Sequence, residues 1–193
     1  MAKIVIVAGL SGAGKTTLLS SIAKRHKDFQ VIQLWTIMKK EADARRIKVE
    51  HDTIKKLDNA TLSKLRLAAF RRLALMKGRI ILDTHLSIEG QNMFTPGIPT
   101  KIIKIKALDI CGIVYVNANS DEIIKRRSKD KNIRSREEQA RSSLDMQRII
   151  DISILANYAN MLDMPLHIIH NREGGQEFAA KELESALTGI LKD

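Results

Sequence analysis

Hydrophobic residues fall along this chain in short continuous blocks, and the first, IVIVA at 4–8, gives way at once to glycines. Four more blocks follow: FQVIQLW at 29–35, RIILDTH at 79–85, CGIVYVNA at 111–118 and PLHIIHN at 165–171. Continuous runs of this length read as strands buried on both faces, as in parallel sheets covered by helices. The segments between them carry helical periodicity. The longest helix predicted is Thr61–Met76, with Asp58 or Asn59 as cap and Lys77-Gly78 as stop. Leu62, Leu65, Ala69, Leu73 and Met76 make its core face, which assigns Arg66, Arg71 and Arg72 to solvent. The closing EFAAKELESALTGILK is another amphipathic helix that would cover the sheet. Strands alternating with helices predict an α/β fold built on a parallel sheet.

Two segments depart from the alternation. Residues 36–57 are polar and helix-prone and read as an insertion above the sheet. Residues 86–107 hold all the prolines but one and read as an ordered loop with a short helix or extended end; loops of that length usually have a use. No repeat or low-complexity linker is visible, and 193 residues suit one domain with small excursions.

Composition narrows the class. A net charge of +11 and a pI near 9.9 favour polyanionic partners, which keeps nucleotide, RNA and acidic lipid in view. The single cysteine, Cys111, cannot close an intrachain disulfide and, inside ICGIVYV, reads as a small buried apolar residue. No run approaches a membrane span, and the N-terminal run is too short for a signal peptide, so a soluble cytoplasmic protein without membrane partners is expected.

The chemistry concentrates at the end of the first block. Gly9 to Thr16 satisfies G-x-x-x-x-G-K-[ST], preceded by a strand-like run and followed by the helix-like LLSSIAKRH. Gly9, Gly12 and Gly14 let the backbone turn with its N–H groups aimed at phosphate oxygens. Lys15 can reach the outer phosphates, the Thr16 hydroxyl can ligate Mg²⁺, and the following helix adds its positive N-terminal end. Asp83, at the carboxyl end of the third run, can hold the same metal through water. The basic stretch 125–141, KRRSKDKNIRSREEQAR, reads either as a solvated helix surface or as a lid that brings cations to a moving phosphoryl group. The histidines form no metal set, although His85 stands two residues beyond Asp83. Neither G-x-S-x-G nor C-x-x-C occurs, so nothing points to covalent catalysis.

LDTH at 82–85, PGIP at 96–99 and NREG at 171–174 followed by FAAKEL make the chain similar to the adenylate kinases of the archaeal type over nearly its whole length. That resemblance implies a P-loop kinase core with a five-stranded parallel sheet (1–35, 76–126 and 142–193), a nucleoside-monophosphate arm near 36–75 and a short lid near 127–141. It implies Mg²⁺-dependent, reversible transfer of the ATP γ-phosphoryl group to AMP, and a homotrimer. By position, Gly9, Ser11, Gly12, Ala13, Gly14, Lys15, Thr16 and Thr17 would hold the ATP phosphates, with Lys15 on the transferring group and Thr16 and Asp83 on the metal. Arg127, Arg134 and Arg136 match lid arginines that would clamp phosphates, and Arg172 and Gly174 lie where the family seats the adenine. Thr36, Lys55 and His85 fall on the acceptor side.

Departures from the family gather in the acceptor arm. Gln33, Leu34, Trp35 and Thr36 stand where the family reads like NYGD, His51 and Lys55 where it has two arginines, and Glu89 where it has another. Lys55 keeps charge without the bidentate fork, and Glu89 reverses it. The donor side thus reads as intact, with an acceptor preference open to change and Arg45 or Arg46 near enough to compensate. The rival readings are a P-loop kinase for another small acceptor and an ATP-dependent RNA or ribosome-assembly factor. The charge suits RNA, but aromatics at 4% leave little for base stacking.

Overall fold

The computed structural model describes residues 1–50, 57–90, 93–103, 105, 108–129 and 141–192. Strand β1 (Ala2–Ala8) is the middle of a five-stranded sheet. The order is β2 (Phe29–Gln33), β3 (Gly78–Asp83), β1, β6 (Asp109–Asn117), β7 (Leu166–His170), and every pairing is parallel. Successive residues of β1 feed opposite faces: Ile4, Ile6 and Ala8 join one apolar cluster, Val5 and Val7 the other. A strand covered on both sides cannot alternate with polar residues, hence the unbroken IVIVA. Helices α2 (Leu34–Ala44), α3 (Asn59–Ala74) and α6 (Arg141–Leu162) contribute to the first cluster. Helices α1 (Lys15–Arg25), α5 (Ser120–Lys129) and α7 (Gln176–Ile190) contribute to the second. Each fully buried Val, Leu or Ile supplies about 1.5–3 kcal/mol.

Several expectations shift at the edges of these elements. The second block is a strand only to Gln33; Leu34 and Trp35 open α2, because Leu34, Ile37, Met38 and Ala42 recur at helical spacing on its buried side. Helix α3 starts two residues before Thr61, where the Asp58 carboxylate accepts the Thr61 N–H at 2.9 Å. The longest helix among the described residues is α6, with 22 residues, rather than α3. Cys111 is partly exposed, because the register between β1 and β6 slips at Ile4/Val5 and leaves Cys111 as the extra residue of a bulge.

Arg66 is the sharpest difference. It lies on the stripe of Leu62, Ala69 and Leu73, and it is 5% exposed instead of solvated. Its Nη1 donates to Pro96 O at 3.1 Å while Nη2 is buried without a partner among the described residues. Burial pushes the guanidinium down to about 10.

The loop expected at 86–107 contains an antiparallel hairpin, β4 (Ser87–Gly90) with β5 (Met93–Pro96), followed by the single-turn helix α4 (Thr100–Ile103). It doubles back against the LDTH segment so tightly that a Cβ on Gly97 would lie 1.9 Å from His85 O. The Gly97 N–H donates to Leu86 O at 2.6 Å, and the Tyr158 hydroxyl of α6 donates to Ile98 O. PGIP is therefore the strap that fixes the residues following Asp83. Glu89 of β4 accepts from the Ser143 hydroxyl, tying the hairpin to the first turn of α6. Among the described residues no helix is long and apolar enough to cross a membrane.

Beneath the hairpin Asp151 is 1% exposed. It accepts from Ser87 Oγ at 2.5 Å and Tyr115 OH at 3.1 Å, and Gln147 Nε2 donates to Ser87 O at 3.3 Å. Burial outweighs these bonds and pushes the carboxyl up from 3.8 to about 6. Between those two values the folded chain holds a proton that the unfolded chain has released. Stability from Asp151 is thus full below 3.8 and is lost as pH rises through about 6. Asp151→Asn should raise unfolding stability at neutral pH by about 1–3 kcal/mol, with the gain vanishing near pH 4. Denaturant unfolding at the two pH values measures this; a pH-independent difference would contradict it.

Candidate active site

The loop between β1 and α1 turns where β1 leaves its two neighbours. Val7 is in register with Asp83, and Asp83 with Gln33, so parallel pairing brings the carboxyl end of β3 beside the loop. The Thr84 N–H extends this by donating to Val7 O at 3.1 Å. Lys15 is only 6% exposed, and its Nζ donates to Gly9 O at 2.6 Å and Leu10 O at 3.3 Å, placing the ammonium within the curve of the loop. His85 Nδ1 donates to the same Gly9 O at 2.9 Å. Gly14 caps α1 at φ +92, and a Cβ there would lie 2.2 Å from Asn171 Nδ2, so the position admits only glycine.

The outer side of the loop is held by α5 and the turn after β7. Arg127 Nε and Nη2 donate to Ser11 O at 3.0 and 2.8 Å. Arg126 Nη1 and Asn171 Nδ2 converge on Ala13 O at 3.2 and 2.8 Å, and Arg126 Nη2 donates to Asn171 O at 2.8 Å. Arg172, Glu173 and Gly174 form an exposed turn that is stapled to α5 in two ways. The Glu173 N–H donates to Glu122 Oε1 at 2.6 Å, and the Glu173 carboxylate pairs with Lys125 at 2.7 Å.

On the inner side a cleft of about 500 Å³ opens between α1, β2 and α2. Thr16 and Asp83 line it, as do Gln33 and Thr36 and the two cations Lys40 and Arg72. Asp83 is 9% exposed, and burial raises its carboxyl pKa although Lys15 opposes the shift. A divalent cation would reverse that cost. The donor set fits Mg²⁺, since one carboxylate and one hydroxyl leave the remaining positions to phosphate and water oxygens. Among the described residues no cluster of three or more His, Cys, Asp or Glu offers a rival metal site.

The structure thus joins Gly9 to Thr17, Asp83, His85, Thr36 and Arg127 around one loop and cleft, with Arg172 and Gly174 at its outer edge. Lys55, Arg134 and Arg136, and most of the expected lid, lie outside the described residues. Sequence reasoning missed Arg126, Asn171, Lys40 and Glu122. Asn171 stood inside the quoted NREG and Arg126 next to Arg127, but only the fold reveals that both reach Ala13 O.

A glycine-rich loop at the carboxyl end of a central parallel strand, with an acid on the neighbouring strand, defines the P-loop class of nucleotide-binding proteins. Residues 8–145 match the family model described as an AAA domain. The chain is 27% identical over 187 residues to the adenylate kinase of Methanothermobacter thermautotrophicus, covering 96% of this chain and 99% of that one. It is 30% identical over 179 residues to that of Thermoplasma volcanium, covering 92% and 96%. Shikimate kinase from Acinetobacter baumannii, in complex with shikimate, shares the fold at 16% identity and a TM-score of 0.61, covering 100% of this chain and 97% of that one. The chain belongs to that AAA-domain P-loop family and, within it, to the adenylate kinases.

Gly14→Ala should weaken Mg·ATP binding by about ten- to a hundredfold, because the variant must both leave its left-handed conformation and displace Asn171. Calorimetric titration checks this, and unchanged affinity would contradict the geometry assigned to the loop.

Proposed function

We propose that this chain catalyses the reversible, Mg²⁺-dependent transfer of the γ-phosphoryl group of ATP to AMP, giving two ADP, in the cytosol. The observation that carries the reading is the continuity of loop and cleft: Thr16 of the loop and Asp83 beside it both line the cleft, so donor phosphates on the loop face an acceptor in the cleft across them. That the chain's relatives are adenylate kinases supports ATP and AMP as the nucleotide pair.

In this reading the N–H groups of Gly9 to Thr17 hold the ATP phosphates and the turn of Arg172 and Gly174 seats the adenine. Lys15 neutralises charge on the transferring group. Thr16 and Asp83 would hold Mg²⁺, which would supply positive charge beside the phosphates. An oxygen of the acceptor phosphate forms the new bond to the γ-phosphorus as the bond from that phosphorus to the β-phosphate oxygen breaks. No general base is needed, because the attacking phosphate is already ionised. Catalysis is alignment plus charge neutralisation in a site closed to water. Residues 36–75 act as the acceptor arm, and Arg134 and Arg136, within 127–141, supply the cover.

The acceptor side differs from the family pattern in a physically specific way. Lys40 and Arg72 line the cleft as cations, with Arg72 also pairing with Glu41 at 3.3 Å, whereas Glu89 is engaged by Ser143. The acceptor phosphate in this reading meets Thr36 and Lys40 in the cleft, and the preference among monophosphates is set by this chain's own arm. A homotrimer, expected from the family, is readable by light scattering. A phosphotransfer panel with AMP, CMP, UMP and GMP should give the highest turnover with AMP. Lys15→Met should lower turnover with every acceptor by about a hundred- to a thousandfold. Equal or absent activity across the native panel would overturn the reading, and an active Lys15→Met enzyme would overturn the role of Lys15.

A further inference from the structure

The bonds on the outside of the phosphate loop have a consequence for its inside. In a trans peptide the C=O and the following N–H point in opposite directions. A side chain that captures the carbonyl of residue 13 therefore aims the N–H of residue 14 the other way. Ala13 O takes two donors, Asn171 Nδ2 at 2.8 Å and Arg126 Nη1 at 3.2 Å. Ser11 O takes two from Arg127, at 3.0 and 2.8 Å, which does the same for the N–H of Gly12. All of these donors approach from the side of α5 and the turn after β7, leaving the two N–H groups facing away from them.

We propose that Asn171 is a positioning residue for phosphate binding: with Arg126 it fixes the Ala13–Gly14 peptide so that the Gly14 N–H faces the donor phosphates. Three further features fit this assignment. Asn171 is 2% exposed, so its amide has no water to turn toward. Its own backbone is fixed at both ends, the N–H donating to Asn117 O at 2.8 Å and the C=O accepting from Arg126 Nη2 at 2.8 Å. The absence of a Cβ at Gly14 is what admits the amide, since a methyl there would lie 2.2 Å from Nδ2. Asn171 also opens the turn proposed to seat the adenine, so the base seat and the phosphate loop form one rigid unit. Glu122 strengthens it, receiving the Glu173 N–H at 2.6 Å and the Asn119 N–H at 3.1 Å.

The inference rests on the phosphate-binding half of the proposed function and not on the identity of the acceptor. Its test therefore uses inorganic tripolyphosphate with Mg²⁺, read by calorimetry, with no turnover involved. Asn171→Asp keeps the shape but sets an oxygen against Ala13 O. It should weaken tripolyphosphate binding by about tenfold or more at neutral pH, one lost and inverted hydrogen bond at a charged site. Its melting temperature is read alongside, so that lost affinity is scored only in folded protein. Burial favours and Arg126 opposes a proton on that acid; at a pH low enough to protonate it, a donor is restored and affinity should recover relative to native protein at the same pH. Asn171→Ala should weaken binding without any such recovery. Native affinity in a folded Asn171→Asp variant, or a loss that the Asp and Ala variants share with no pH-dependent recovery in Asp, overturns the proposal. If neither variant folds, Arg126→Met carries the same expectation of weakened binding in folded protein, and unchanged affinity there overturns it too. A native protein that binds tripolyphosphate yet transfers nothing to AMP would fault the functional reading and leave this one standing.

Discussion

Everything at the mouth of this molecule depends on β1 being paired on both edges by parallel neighbours. Parallel pairing makes strands end together, so the carboxyl ends of β1, β3 and β6 open on one surface. Asp83 arrives beside Val7 without any loop having to place it there, and the glycine-rich turn is held between β3 on one side and the ends of β6 and β7 on the other. The loop's own backbone is too permissive to keep one shape unaided. Its rigidity is borrowed from Lys15 and His85 inside and from Arg126, Arg127 and Asn171 outside. That division leaves the Gly12 and Gly14 N–H groups turned away from the side chains that hold Ser11 O and Ala13 O.

The same surface shows what such a site costs in stability. Asp151 is a buried carboxyl that burial pushes up to about 6, and Arg66 is a buried cation whose Nη2 has no partner among the described residues. Both lie at the attachments of the β4–β5 hairpin, Asp151 through Ser87 and Arg66 through Pro96. An all-apolar junction would be more stable but less particular about register, and register here decides where His85 and Glu89 stand. The hairpin is thereby fixed to α3 by a guanidinium and to α6 by a carboxyl group and a serine, and the segment just after it is held to α6 by a tyrosine.

Much of this was legible in the sequence because the governing signals are local. Unbroken apolar runs named the five parallel strands, and the spacing of Gly9, Gly14, Lys15 and Thr16 named the loop. Asp83 followed from its place at the end of a run. The signals failed where tertiary context overrides composition. Charge sent Arg66 to solvent although its helical phase put it on the buried stripe, and apolar letters extended β2 through Leu34 and Trp35, whose packing is helical. Cys111 was read as buried because a one-residue bulge leaves no trace in the letters. The β4–β5 hairpin was hidden by a pattern too short and too interrupted to alternate. Asn171 and Arg126 could not have been placed on Ala13 O from sequence at all, since those contacts span 158 and 113 residues.

Loop, Asp83 and cleft together suit the proposed reaction, in which one nucleotide hands a phosphoryl group directly to another rather than to water. Phosphorus NMR of the native protein with Mg·ATP and AMP tests that claim most directly, because it follows every phosphate at once. ATP and AMP should fall in equal amounts while ADP rises at twice their rate and inorganic phosphate stays absent. Conversion of ATP to ADP and inorganic phosphate, with AMP untouched, would contradict it.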